Sequence, residues 1–231
     1  MKTAVLIHGL HVDSFNWEHL IWGDPLNGLL GRASFGILEA LRRNADLIIW
    51  GTGASEKDGL KESEYTLRFA LGRIGELRGM KVIGRAGGTT ADLAHAVEDF
   101  SRCDRETQNT AQEVRAALML CLERGISELT LVSSPGHVPC CFRDARKAAR
   151  ELGVQHIRIY AVGADTDYGD LTMDDAVIIE GAHRPDRAAP SFHAVGKRLF
   201  QFYGSPSLAD GLATDLASVV DRYEKRLKSA S

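Results

Sequence analysis

The sequence contains little that favours a metal centre or a disulfide framework. Its four cysteines include no C-x-x-C pair, the spacing that structural zinc sites commonly use. Cys140 and Cys141 are adjacent, and neighbouring residues cannot easily bridge each other. His8 and His11 are three residues apart across a predicted turn, which is also a poor spacing for a metal. We therefore expect no metal site, and free thiols as in a reducing cytoplasm.

Charge of one sign and long apolar runs are also scarce. Lys and Arg number 28 against 31 Asp and Glu, which gives a formal net charge of -3 with both signs interspersed. Without a basic stripe or a polybasic run, neither nucleic acid nor a membrane surface is an expected partner. No stretch reaches the roughly 18 apolar residues of a membrane span. The first apolar run stops at His8, too early for a signal peptide, so we expect a cytoplasmic protein.

Short apolar runs alternate with stretches of helical spacing along most of the 231 residues. This alternation predicts an α/β fold, a Rossmann-like three-layer sandwich with a mostly parallel sheet. We assign residues 1–185 to this domain and residues 186–231 to a C-terminal helical extension packed on it. The predicted strands are residues 4–7, 46–50, 81–83, 129–132, 156–162 and 176–179. The predicted helices are residues 32–43, 62–78, 91–100, 107–124, a helix after residue 137, 191–203 and 207–227. Loops are expected at residues 14–30, with a helical turn, and at residues 56–61 and 101–105.

The most informative stretch is residues 128–153, where a buried strand, a polar turn and an amphipathic helix follow one another. The turn contains Ser133, Ser134 and His137. In an open α/β sheet, ligands bind at the carboxyl ends of the strands, where the next helix offers unpaired N–H groups and positive dipole character. A helix cap alone would explain a serine, but it needs no neighbouring histidine. We therefore expect a ligand site around this turn.

Polar clusters follow nearly every predicted strand. They occupy residues 8–13, 51–55, 84–90, 133–137, 163–167 and 180–184. If the sheet is parallel, all of them gather at one rim, which is the strongest physical argument for a site. Individually they are weak signals. Gly51 and Gly53 match only part of a dinucleotide-binding turn, because position 56 is Glu rather than Gly.

A serine hydrolase is one alternative that the residues leave open. His8 and Gly9 after the first strand resemble an oxyanion segment of α/β-hydrolases, and Ser134 lies at a strand-to-helix turn like a nucleophile elbow. The elbow motif is G-x-S-x-G, whereas Val132 stands at its first position here. Pro135 after the serine supplies no N–H for an oxyanion. This alternative requires Ser134 as the nucleophile.

Three short segments together resemble the ElyC/SanA/YdcF family. LTLVSSPGHVP at residues 129–139 is similar to its TS-x-x-H-x-x-R signature, and NTAQE at residues 109–113 is similar to its NT-x-x-E segment. GTG at residues 51–53, followed by ESE at residues 62–64, is similar to its SGG…E segment, and we take Glu64 as the candidate acid. The order and approximate spacing agree over residues 1–180. The arginine of the signature falls on Cys140 here, and Arg143 is the candidate that would replace it as an anion contact.

The resemblance implies a Rossmann-like fold with a polar pocket at the strand ends. It also implies a nucleotide-like ligand, and S-adenosylmethionine is a candidate. Envelope-related roles are associated with the family as well, but many of its members carry an N-terminal membrane segment, which we do not expect here. The family biochemistry therefore suggests a small-molecule ligand more strongly than a particular reaction.

Residues and resemblance together predict a small-molecule enzyme that acts on or binds an anionic or nucleotide-like ligand. The catalytic candidates are His137 as general acid or base, Ser134 and Glu64. The ligand-binding candidates are His8, Gly9, Gly51, Thr52, Gly53, Asn109, Thr110, Glu113, Ser133 and Arg143. A helix cap is the simpler interpretation of Asn109. A non-catalytic sensor of a nucleotide-like ligand is the second alternative, and a homo-oligomer remains open.

Overall fold

The central sheet has five strands in the described part of the chain, and all of them run parallel. The structure, a computed structural model, describes residues 1–80 and 89–166. The strands lie in the order β3-β2-β1-β4-β5, which is the order of a Rossmann-type doubly wound sheet. In chain order they are β1 (Thr3–Ile7), β2 (Leu47–Trp50), β3 (Ser101–Cys103), β4 (Glu128–Ser133) and β5 (Arg158–Gly163).

Alternate residues of the sheet fill two separate cores. In β1, Val5 and Ile7 belong to one buried cluster, whereas Ala4 and Leu6 belong to another on the opposite face. A parallel strand that helices cover on both sides is buried on both faces, so its sequence is an unbroken apolar run. The apolar run that predicted β1 therefore reflects its central place in the sheet.

Helices cover both faces of the sheet and complete the three layers. They are α1 (Trp17–Ile21), α2 (Arg32–Arg43), α3 (Glu62–Arg73), α4 (Thr90–Asp99), α5 (Thr110–Arg124) and α6 (Val138–Glu151), with 3-10 helices at Pro25–Asn27 and Ile74–Gly79. Residues of α2, α3 and α4 join the cluster that contains Val5 and Ile7, whereas residues of α5 and α6 join the other cluster. The predicted Rossmann-like three-layer α/β sandwich is confirmed.

The chain changes direction across the sheet between β1 and β4. From β1 it moves outward through β2 to β3, and it then returns to β4 on the other side of β1 and continues to β5. β1 and β4 are paired with Ile7 opposite Val132, and the His8 amide donates to the Val132 carbonyl at 2.9 Å. The residues that follow these two strands therefore lie side by side. A doubly wound sheet binds its ligands in the crevice at this point.

Two stretches that the sequence predicted to be irregular contain strands. Residues 101–105 include β3, whose polar sequence is compatible with its place at the edge of the sheet as described, where the strand is only partly buried. Residues 56–61 form an antiparallel hairpin closed by Asp58 and Gly59, whose φ angles are 52° and 74°. A tight hairpin needs positive φ at both central residues, which is why Asp-Gly is a favoured turn sequence.

Residues 14–30 are more ordered than the predicted loop. They contain α1, one 3-10 helix and a small antiparallel ribbon of Gly23–Asp24 with Leu29–Leu30. The Trp17 ring packs edge-on against Phe69 with 5.0 Å between centroids, and its Nε1 donates to the Leu10 carbonyl at 2.9 Å. The tryptophan thereby fixes this segment next to the residues that follow β1.

Several predicted elements lie outside the described residues. They are the strands at residues 81–83 and 176–179, the helices at residues 191–203 and 207–227, the extension at residues 186–231, the polar cluster at residues 180–184, and residues 84–88 of the cluster predicted at residues 84–90. Between residues 1 and 80 and between residues 89 and 166, no helix has both the length and the apolar character needed to cross a membrane.

Substitution by alanine should have opposite effects on stability at two glycines, Gly36 and Gly72, in helices on one face of the sheet. A Cβ on buried Gly36 of α2 would lie 2.4 Å from Cγ1 of Ile7, so Gly36→Ala should lower the free energy of unfolding by about 1–3 kcal/mol through overpacking. A Cβ on exposed Gly72 of α3 meets nothing within 4 Å, so Gly72→Ala should raise it by about 0.5 kcal/mol. Urea unfolding of both variants measures the two changes. Equal effects would contradict the close contact of α2 with β1.

Candidate functional site

A buried ion pair lies at the carboxyl end of β1. The His8 imidazole is fully buried, and its Nδ1 lies 2.7 Å from Oε2 of Glu113, in the first turn of α5. The other carboxylate oxygen of Glu113 accepts a hydrogen bond from the Gly9 amide at 3.2 Å. Room for this carboxylate depends on Gly51, because a Cβ there would lie 1.4 Å from Oε1. The pair therefore joins the residues after β1 and β2 to α5.

The protonation state of His8 depends on two opposing effects, the burial of its ring and its attraction to the Glu113 carboxylate. Burial disfavours the imidazolium and would lower the pKa of His8, but the carboxylate of Glu113 and the neighbouring Cys141 outweigh it and raise the pKa to about 10. His8 is therefore an imidazolium at neutral pH. Its second nitrogen, Nε2, is buried and makes no hydrogen bond in the structure.

A second pair of buried charged residues, Arg32 and Glu62, lies on the other side of Gly9, and each is 1% exposed. Arg32, the first residue of α2, donates from Nε to the Ser134 hydroxyl at 2.8 Å and from Nη1 to the Gly9 carbonyl at 2.5 Å. Glu62, the first residue of α3, accepts at Oε2 from the Ser55 hydroxyl at 2.5 Å. Both side chains thus reach the carboxyl end of β1.

The Glu62 carboxyl is held in a setting that favours its neutral form. Burial raises its pKa to about 7, the nearby Glu113 charge adds to this, and the Ser55 hydrogen bond and the Arg32 charge oppose it. Its Oε1 atom is buried without a hydrogen-bond partner. An acid with a pKa near neutrality can both give up and take up a proton under physiological conditions.

His137 forms the partly exposed edge of this cluster, at the turn between β4 and α6. Its Nδ1 lies 3.0 Å from the Ser133 hydroxyl, and its Nε2 lies 3.3 Å from the Thr110 hydroxyl. The ring meets His8 edge-on with 6.0 Å between centroids, and the thiol of Cys141 is 3.4 Å from Nδ1. Hydroxyls on both ring nitrogens fix the orientation of the imidazole.

The structure brings together most of the residues that the sequence predicted for the site. They come from the carboxyl ends of β1, β2 and β4 and from the start of α5: His8, Gly9, Gly51, Thr110, Glu113, Ser133, Ser134 and His137. The shared rim follows from the parallel sheet. Arg32, Glu62, Ser55 and Cys141 complete the cluster. They were not named as site residues, although Glu62 lies in the family-like segment at residues 62–64 and Ser55 in the predicted polar cluster at residues 51–55.

Three predicted ligand-binding residues occupy positions with structural contacts. The Thr52 hydroxyl donates to the Thr107 carbonyl at 2.7 Å, and the Gly53 amide donates to the same carbonyl at 2.9 Å. Gly53 also packs so closely that a Cβ would lie 2.0 Å from the Arg105 carbonyl oxygen. Asn109 caps α5, with its Oδ1 accepting from the Gln112 amide at 3.0 Å.

Glu64 and Arg143 are directed away from this cluster. Glu64 accepts from the Lys61 amide at 3.1 Å, as part of the capping of α3, and pairs with Arg105 at 3.3 Å. Arg143, whose side chain is 62% exposed, pairs with Asp144 on its own helix at 2.9 Å. The acid that enters the cluster is Glu62, two residues before Glu64 on the same helix.

The two serines of the turn have different neighbours. The Ser134 hydroxyl accepts from Arg32, whereas the hydroxyl beside the His137 ring is that of Ser133. Both serines are 0% exposed. The residue after Ser134 is Pro135, which has no N–H to stabilise an oxyanion. A fluorophosphonate probe should therefore leave Ser134 unlabelled in intact-mass measurements, and labelling would restore the serine-hydrolase alternative.

The chain matches no family model, no curated protein and no solved structure. The resemblance to the ElyC/SanA/YdcF family therefore stays a prediction from its motifs. Over residues 1–80 and 89–166, no group of three or more His, Cys, Asp and Glu side chains could hold a metal ion.

Breaking the buried ion pair should destabilise the protein in a pH-dependent way. We expect Glu113→Gln to lower the free energy of unfolding by about 3 kcal/mol near neutral pH, because the buried ring of His8 loses the carboxylate that stabilises its protonated form. A raised His8 pKa contributes stability that is complete below pH 6.5 and is lost as pH rises through about 10. The difference between wild type and variant should therefore shrink over this range. Denaturant unfolding at several pH values, with exposed Glu123→Gln on the same helix as control, measures it.

The raised pKa of Glu62 predicts that Glu62→Gln, unlike Glu113→Gln, becomes more stable relative to wild type as pH rises. Because the folded state favours the protonated form, wild type loses stability as pH rises from 4.5 through about 7. Glu62→Gln lacks this loss, so its stability relative to wild type should increase by about 3 kcal/mol between pH 4 and pH 8. The same unfolding series measures this. A difference that does not change with pH would show that the Glu62 carboxyl has an ordinary pKa.

Proposed function

We propose that this protein is a small-molecule enzyme whose site lies at the carboxyl ends of β1 and β4 and accepts an anionic or nucleotide-like ligand. The observation that carries the proposal is the concentration of His8, Arg32, Glu62 and Glu113, each at most 3% exposed, at the point where the strand order reverses. Charged groups are costly to bury. Clusters with strongly perturbed pKa values are found preferentially at functional sites.

His137 is the proposed general acid or base. It is partly exposed, whereas the charged residues beneath it are buried, so a bound molecule reaches its ring first. An imidazole can give up or take up a proton near neutral pH. The hydroxyls of Thr110 and Ser133 hold its two nitrogens, which keeps the ring in one orientation toward the ligand.

The ligand class follows from the charges and from the family resemblance. Arg32 and the His8 imidazolium bring positive charge close to the carboxyl ends of the strands. S-adenosylmethionine remains the candidate cofactor because of the resemblance in residues 51–53, 109–113 and 129–139. We further propose a cytoplasmic location, a small-molecule partner and neither nucleic acid nor membrane as a partner. Association into a homo-oligomer is compatible with this proposal.

Identification of co-purifying small molecules tests the proposal. The full chain is purified, denatured, and its extract analysed by mass spectrometry, with exposed His156→Ala as the control for His137→Ala. We expect wild type and His156→Ala to carry the same anionic or nucleotide-like molecule and to convert it when it is supplied with candidate co-substrates. His137→Ala should bind it but turn it over about 100-fold to 10,000-fold more slowly.

Other outcomes separate the alternatives. If wild type binds the molecule without converting it, and His137→Ala loses binding, the protein is a non-catalytic sensor. If wild type carries and binds no such molecule, the proposal is wrong. The sensor is favoured by the burial of Ser133 and Ser134, which are placed for structure or binding rather than for attack on a substrate.

A further inference from the structure

Arg32 is a buried cation with no ion-pair partner among the described residues. Its guanidinium donates to two neutral oxygens, the Gly9 carbonyl and the Ser134 hydroxyl. Within residues 1–80 and 89–166, no carboxylate lies at ion-pair distance from it. An isolated charge in a protein interior costs several kcal/mol unless an opposite charge compensates it. Arg32 is therefore suited to a partner that is not part of the described chain.

Glu62 is a buried acid with one oxygen unused. Its Oε2 is bonded to Ser55, but its Oε1 has no hydrogen-bond partner and faces the backbone of Gly9, where a Cβ would lie 2.2 Å away. Arg32 reaches the same residue through its bond to the Gly9 carbonyl. Gly9 itself is partly exposed. The two incompletely compensated groups thus meet at a backbone position that a ligand can approach.

The groups that face Glu62 determine what a bound anion would do to it. They are Ser55 after β2, the Leu10 amide after β1, Arg32 on α2 and Glu113 on α5. Arg32 favours the ionised carboxylate, and Glu113 opposes it. An anion beside Arg32 would neutralise a cation that favours ionisation and would add a further negative charge. Both changes favour protonation of Glu62.

We propose that an oxyanion of the ligand, a phosphate or a carboxylate, binds beside Gly9 as the counter-charge of Arg32, and that Glu62 takes up one proton as it binds. This inference rests on the proposed function and specifies the part of the ligand that is recognised. The proton comes from solvent and adds to Oε1, which changes from a bare acceptor to an O–H donor. No covalent bond to the ligand forms or breaks.

Calorimetric titration of the full chain with adenosine 5′-monophosphate and with succinate at pH 8 tests the proposal. Each titration is repeated in two buffers of different ionisation enthalpy, which reports the protons taken up. Both anions are fully ionised at this pH, and neutral adenosine is the control ligand. If Glu62 is fully protonated in the complex, uptake approaches one proton per anion at pH 8, and affinity falls by up to about tenfold between pH 8 and pH 9. Binding of one anion but not the other identifies phosphate or carboxylate as the group recognised.

Two variants assign the effects to the two residues. Glu62→Gln should bind with no proton uptake and with affinity independent of pH, whereas exposed Glu56→Gln should behave like wild type. Arg32→Lys should weaken binding at least tenfold because lysine cannot make both hydrogen bonds, whereas exposed Arg68→Lys should not. Thermal unfolding without ligand shows that each variant is folded. If Arg32→Lys does not fold, Glu62→Gln alone decides.

Several results would overturn the proposal. They are proton uptake that persists in Glu62→Gln, unchanged affinity in folded Arg32→Lys, and failure of wild type to bind either anion. A co-purified ligand whose turnover depends on His137 but whose binding is insensitive to Arg32 and Glu62 would overturn this inference and leave the proposed function intact. Proton uptake on anion binding without any turnover would support this inference and would contradict the proposal that the protein is an enzyme.

Discussion

The site depends on one interaction, the buried ion pair of His8 and Glu113. It spans from the end of β1 to the first turn of α5 and so crosses the point where the strand order reverses. Without the carboxylate, burial would drive the imidazole to its neutral form and leave an unmatched ring at the base of the cluster. The surrounding residues are arranged to keep this pair dry and in contact: Gly9 donates to Glu113, and Gly51 leaves room for it.

The same glycines constrain the fold and the site together. Any side chain at Gly9 would collide with Glu62, and any side chain at Gly51 would collide with Glu113. The two carboxylates can approach the carboxyl ends of β1 and β2 only because Gly9 and Gly51 have no side chains. The Glu113 charge helps to raise the pKa of Glu62, so the arrangement holds one readily protonated acid next to the carboxylate that pairs with His8. Backbone packing thus sets the charge state of the site.

The sequence predicts the fold and the rim of the site, but not which charged residues fill it. β1 contains an unbroken apolar run, and β4 is largely apolar and buried apart from its first residue, a pattern that reports burial on both faces. β3 has no such pattern because an edge strand is half-exposed. To choose between Glu62 and Glu64, one must know which face of α3 is turned toward the sheet. Side chains two positions apart on a helix point about 200° away from each other, so only one of the two can enter the cluster. Arg32, at the start of α2, carries no local signal at all.

The two apolar cores and the charged cluster contribute in opposite directions to stability. Each face of the sheet has its own buried hydrophobic cluster, which supplies the driving force for folding without help from the rim. Among residues 1–80 and 89–166, the guanidinium of Arg32 has no ion-pair partner and Oε1 of Glu62 has no hydrogen-bond partner, and burying either group in this way costs free energy. An apolar rim would serve the fold at least as well. Buried polar groups without full compensation are expected where a protein binds its ligand. In the described part of the chain, the two such groups on Arg32 and Glu62 both lie next to Gly9.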